Sequence, residues 1–171
     1  MPANNVSSIP CSPIFVSNKK TDSFLARIHC TRLAGDKADN WWMRFHERTL
    51  SLKWKKGTKR PSKSNAIDMI CSGSVPESGI EREDFEANFE EGQVPQPFSA
   101  EERKAFLEKL SEVAVSSDAF FPFIDNVFRA ARSGVKYIAA PTGSQNDQAV
   151  FDTAEKLGIT FVEQHIRLFH H

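Results

Sequence analysis

The residues best suited to chemistry lie near the end of the chain, at one strand-to-helix turn and one isolated arginine. Tyr137-Ile138-Ala139-Ala140 reads as a short apolar strand stopped by Pro141. Thr142-Gly143-Ser144 follows as a small-residue turn, and a helix opens near Asn146. The N–H groups at the start of a helix have no partners within it, so such a turn suits a phosphate or a carboxylate. Two further apolar strands are expected, Ile159–Val162 and Ile166–Phe169, and Arg167 stands in the second as a fixed cation. A guanidinium fork donates two parallel, charge-assisted hydrogen bonds to a phosphate.

The elements that must position these groups are legible as alternating helices and strands. Ala34, Ala38, Trp41, Trp42 and Phe45 predict a helix over 25–45. A short helix is expected over Asn65–Ile70. Ser99-Ala100-Glu101-Glu102 is a capping box, and the helix after it is expected to bury Phe106, Leu107 and Leu110. Ile124, Val127, Phe128 and Ala131 repeat at helical spacing and predict a buried stripe ended by Gly134. Val150, Ala154 and Leu157 predict the next stripe, ended by Gly158. Helices alternating with short apolar strands imply an α/β layered sheet.

With 171 residues, 40% of them hydrophobic, the chain fits one globular domain over 25–171. Its formal charge of zero gives no global field toward nucleic acid or membrane. The basic run 50–63 carries Lys53, Lys55, Lys56, Lys59, Arg60 and Lys63 around a single aromatic, Trp54. It is expected to be a solvated connector, with neither nucleic acid nor membrane as partner. Residues 76–97 are acidic and punctuated, an expected surface excursion with a helical turn or two. Residues 1–24 are polar, their only apolar run being Ile14-Phe15-Val16, and a disordered leader is expected. Cys11, Cys30 and Cys71 are too few and scattered for a disulfide framework, which points to a reduced, cytosolic setting. His29-Cys30 has no second cysteine at metal spacing, and a P-C-x-x-C with H-x-E is missing, so zinc is not expected.

Three blocks give the chain a family likeness: Arg27-Ile28-His29-Cys30-Thr31-Arg32-Leu33-Ala34-Gly35-Asp36-Lys37-Ala38 with Trp41-Trp42, then Ser64-Asn65-Ala66-Ile67-Asp68, then DAFFPF, YIAAPTGS and the terminal RLFHH. Together they resemble the C-terminal part of the bifunctional AICAR formyltransferase / IMP cyclohydrolase family of purine biosynthesis, AICAR being phosphoribosylaminoimidazolecarboxamide. The likeness covers roughly 26–171, more loosely over 74–97. It implies a cytidine-deaminase-like layered fold, the second half of the transformylase domain, without zinc. It also implies transfer of a formyl group from the co-substrate 10-formyltetrahydrofolate to AICAR in a cytosolic homodimer.

Residue by residue, the resemblance makes Arg27, Phe120 and Arg167 contacts of the nucleotide, with Arg167 on its 5′-phosphate. It makes Ile28, Asp125, Ser144 and Gln145 contacts of the folate, Asp125 accepting from pterin N–H groups and Gln145 acting through its backbone. Asp118 and Leu168 resemble positions near a structural potassium ion whose other ligands have no counterpart here. Ile124 and Phe128 depart from the family, which has a basic and an acidic residue there. The lysine-histidine pair used for formyl transfer is absent, since no Lys-His dipeptide occurs in the 171 residues. The expectation is therefore half of a transformylase site, inactive alone. Its alternatives are a ligand-binding or dimerisation module docking on a full-length subunit, and a truncated gene product.

Overall fold

The computed structural model describes residues 14–16 and 24–165, with side chains from 29 to 165. Contacts divide the chain into two compact units, 1–35 with 111–171 and 36–110, where a single domain over 25–171 is expected from sequence. Helix α1 (Phe24–Met43) contributes to both.

The first unit is built on four strands in the order β1-β2-β3-β4, all parallel: β1 (Ile14–Val16), β2 (Val113–Ser117), β3 (Val135–Ala140) and β4 (Thr160–Glu163). Helix α6 (Ile124–Arg132) links β2 to β3, and α7 (Asp147–Lys156) links β3 to β4. The α/β expectation holds. β2 escapes the sequence reading because its small residues, VAVSS, give little hydrophobic signal, yet burial alternates along it with Val113, Val115 and Ser117 inward. The run Ile14–Val16, expected within a disordered leader, pairs as strand β1 with Val115–Ser117.

Gly158, in a left-handed conformation (φ 64°), follows α7 and turns the chain toward β4. Helices α6 and α7 pack on one another, and Val127, Ala130, Val150 and Ala154 are buried with Ile138 and Ala140 of β3. The stripe expected on α6 is corrected here. Its buried face is Asn126, Val127 and Ala130, while Ile124 and Phe128 are 37% and 41% exposed. The inward direction runs through Val127, Ala130 and Ser133, and a step from Val127 to Phe128 turns the side chain out of it. Asn126 is buried because it donates to Thr31 Oγ1 of α1 at 2.7 Å. A Cβ on Gly35 of α1 would run into the Arg129 guanidinium of α6, so only glycine leaves that guanidinium where it lies.

The second unit has no named strand. It comprises the rest of α1 with α2 (Glu47–Leu50), α3 (Arg60–Ser72), α4 (Ile80–Glu86) and α5 (Ala100–Leu107). Its core is Met43, Ala66, Ile70, Cys71, Phe85, Phe89 and Phe98, with Trp54, Phe106 and Leu107 partly buried against it. Two expectations change. The basic run is not all connector, because α3 starts at Arg60 with Pro61 in its first turn, where a missing N–H costs nothing. The acidic stretch 76–97 supplies Phe85 and Phe89 to the core and is no mere excursion. Trp54 stacks on Phe89 at 4.9 Å between ring centres, and the two residues form an isolated β-bridge. The capping box forms as expected, Ser99 Oγ accepting from Glu102 N at 3.1 Å and Glu102 Oε2 from Ser99 N at 2.9 Å. Phe106 and Leu107 are half-buried rather than fully so, and Leu110 lies beyond the helix end.

Candidate functional site

The carboxyl ends of parallel strands are where open α/β sheets place their ligands. At that edge the chain leaving β2 bends at once, because Ser117 Oγ donates to Ala119 O at 2.7 Å and accepts from Ala119 N at 3.3 Å. Phe121 and Pro122 anchor the loop in the interior, Phe121 meeting Phe161 of β4 edge-on at 6.3 Å. Between these fixed points Phe120 is half-buried, and Asp125 stands exposed in the first turn of α6.

The loop after β3 carries Ser144, half-buried, and Gln145, exposed. Its N–H groups are not open as the sequence suggests. Asp147 Oδ2 accepts from Gly143 N at 2.7 Å and from Ser144 N at 3.1 Å, and Ser144 Oγ accepts from Asn146 N at 3.1 Å. The chain's own carboxylate thus takes the place of an anionic ligand. Gly143 has φ 119°, a conformation that favours glycine. The spacing Ser144-x-x-Asp147 is a capping-box pattern, and reading it as one would have exposed this arrangement in advance.

Three hydrogen bonds join the edge. Asn146 Nδ2 donates to Pro122 O at 2.8 Å, tying the turn after β3 to the loop after β2. Thr142 Oγ1 donates to Glu163 Oε1 at 2.5 Å, and Gln164 N donates to Ala140 O at 3.0 Å, so the chain leaving β4 stays beside the same turn. Phe120, Asp125, Ser144 and Gln145 therefore sit on the adjoining ends of neighbouring strands. Arg27 and Ile28 lie in α1, but their side chains are outside the described residues. Arg167 and Leu168 lie outside them too, as does the expected strand Ile166–Phe169; Asp118 lies directly after β2.

Beside Asp125 is an open hollow of about 480 Å³ on α6, lined by Asp125, Phe128, Arg129, Ala131, Arg132 and Leu157. Phe128 and Leu157, expected in the core, make its apolar part. Among the described residues no group of three or more His, Cys, Asp or Glu side chains could hold a metal ion.

No family model matches the chain. Over 64 residues, 37% of this chain, it is 44% identical to the bifunctional purine biosynthesis protein PurH of Streptococcus pneumoniae strain JJA, and it matches the protein of that name from serotype 19F strain G54 equally well. Over that stretch the chain is similar to PurH. The PurH likeness covers only 12% of the length of each of these relatives. No helix among the described residues is long and apolar enough to cross a membrane.

Proposed function

We propose that this chain forms half of an AICAR transformylase site, binding the nucleotide through Arg27, Phe120 and Arg167 and 10-formyltetrahydrofolate through Ile28, Asp125, Ser144 and Gln145. The observation that carries this reading is the meeting of the Phe120–Asp125 and Ser144–Gln145 segments at one edge of a parallel sheet, joined by Asn146 and Pro122. In the reaction the AICAR amine attacks the formyl carbon, the bond from that carbon to folate N10 breaks, and the amine proton passes to the leaving nitrogen. Arg167 would hold the 5′-phosphate, Phe120 would pack on the nucleotide, and the Asp125 carboxylate would accept from pterin N–H groups.

With the Asp125 carboxylate given to the pterin, none of these residues is left as the acid or base that a conjugated, poorly nucleophilic amine needs. Such help is worth about 10²–10⁴ in rate. The 171-residue polypeptide alone is expected to bind without turning over, as a cytosolic homodimer or with a longer subunit of its family. Potassium has no further support beyond Asp118 and Leu168.

Calorimetric titration with AICAR tests the reading. Arg167→Ala should weaken binding roughly 10- to 100-fold, the range for hydrogen bonds to a charged group. Wild-type affinity retained by that variant, or formyl transfer by the polypeptide alone, would overturn the proposal.

A second reading, a module docking on a full-length subunit, is favoured by the exposed apolar residues Phe123, Ile124, Phe128 and Val162 of the first unit. Co-elution with a full-length relative at micromolar concentration supports it, and separate elution rules it out.

A further inference from the structure

We propose that Asn146 is a positioning residue which sets the nucleotide contact and the folate contacts in register, an inference that rests on the functional reading above. The loop with Phe120 and the turn with Ser144 and Gln145 follow paired strands, whose register at Ser116 and Ala139 fixes the strand ends but not the segments beyond them. Asn146 does so from the start of α7. Its side chain does not cap its own helix; Nδ2 donates instead to Pro122 O at 2.8 Å. Both ends of that bond are immobilised independently. Pro122 is fully buried, and its neighbour Phe121 is packed against Phe161. Asn146 N is held by Ser144 Oγ at 3.1 Å, and the next residue, Asp147, holds the N–H groups of Gly143 and Ser144.

The amide is therefore a short strut between two rigid supports rather than a loose surface bond. Displacing either loop stretches it, so a ligand that orders the Phe120 loop also orders the Ser144 turn. Coupling is a free energy shared reciprocally by two sites, and Asn146 is bonded into the segments that carry both. The strut transmits no more than one neutral hydrogen bond, which limits the coupling to about two- to tenfold in affinity.

Amide hydrogen exchange on the full chain tests the strut without any ligand. Asn146→Ala should raise exchange both in 119–123 and at Gly143 and Ser144, and Asn146→Gln, whose amide reaches further, should restore part of the protection. Increased exchange confined to the first turn of α7 would mean ordinary helix-end fraying and would overturn the proposal. Titration of folic acid with and without saturating AICAR then reads the coupling. In the wild type AICAR should tighten folic acid binding by about two- to tenfold, and in Asn146→Ala this gain should vanish while Asn146→Gln recovers it. An unchanged gain in Asn146→Ala would overturn the positioning role. A wild type that binds neither ligand at millimolar concentration sinks the transformylase reading instead, with the strut still judged by its exchange signature.

Discussion

The two compact units solve the problem of stability by different means. The second packs large rings: Phe85 against Phe89 at 5.1 Å, Trp42 against Phe106 at 5.8 Å, and His46 between Phe98 and Phe106 at 4.7 Å from each. The first buries the aliphatic residues of a sheet and Phe121 together with Ser117, Asn126, Ser133 and Thr31. Both leave large apolar residues exposed, Ile124, Phe128, Tyr137 and Val162 in the first and Leu50 and Ile80 in the second. Aromatic rings bury much area at low conformational cost. Buried polar side chains must instead find hydrogen-bond partners, as Asn126 does in Thr31.

All three tryptophans, Trp41, Trp42 and Trp54, lie in the aromatic unit, and the one tyrosine, Tyr137, lies in the sheet unit, so spectroscopy can follow the two separately. The largest effect should come from Phe89→Ala. Removing a ring that is 3% exposed costs about 3–5 kcal/mol, read as a lower urea midpoint by tryptophan fluorescence. A shift under about 1 kcal/mol would mean that the aromatic core is not what holds this unit.

Next comes Asn126→Ala, which removes the amide held by Thr31 in the sheet unit and should cost about 1–3 kcal/mol. Tyr137 fluorescence, made selective by replacing the tryptophans with phenylalanine, should report it. An unchanged midpoint would show that the buried polar pair contributes no stability.

Ser99→Ala should cost about 1 kcal/mol by removing one half of the capping box of α5. The other half of the box, Glu102, carries a pH signature. The Ser99 N–H, and after it Arg48, hold the Glu102 carboxyl below its ordinary value of 4.5. A carboxyl depressed in the folded state stabilises above its unfolded pKa, and the contribution fades as pH falls through the folded one. The gap between wild type and Glu102→Gln should therefore be full at neutral pH and close in acid. A gap that widens in acid would contradict the assignment.

The smallest effect belongs to Phe128→Glu, at a position 41% exposed on α6, where the stability change should stay within about 0.5 kcal/mol. A loss above about 2 kcal/mol would mean that Phe128 is covered after all and that the contrast between the units is overstated.

What the sequence disclosed depended on how strongly each local signal competed with its surroundings. The strand ending at Pro141, the helix opening near Asn146 and the box at Ser99 were legible because apolar runs, Pro and Gly act locally. The orientation of α6 was not, since Ile124 and Phe128 fit the helical period as well as Val127 does, and only packing against neighbouring elements decides which way the helix faces. Phe85 and Phe89 were hidden by the acidic residues around them, and Phe89 lies past the end of α4, where only its bridge to Trp54 carries it inward. Of the candidate site, Phe120, Asp125, Ser144 and Gln145 fell together on one edge. The Asn146 strut could not be read from sequence, because its acceptor is a backbone carbonyl 24 residues away.

The carboxylate of Asp147, lodged on the N–H groups of Gly143 and Ser144, bears on selectivity. A turn with those donors vacant would collect inorganic phosphate or sulfate indiscriminately and so suffer competition from abundant small ions. This one arrives already occupied, which leaves shape and hydrogen-bond pattern, rather than bare negative charge, to decide what settles beside it.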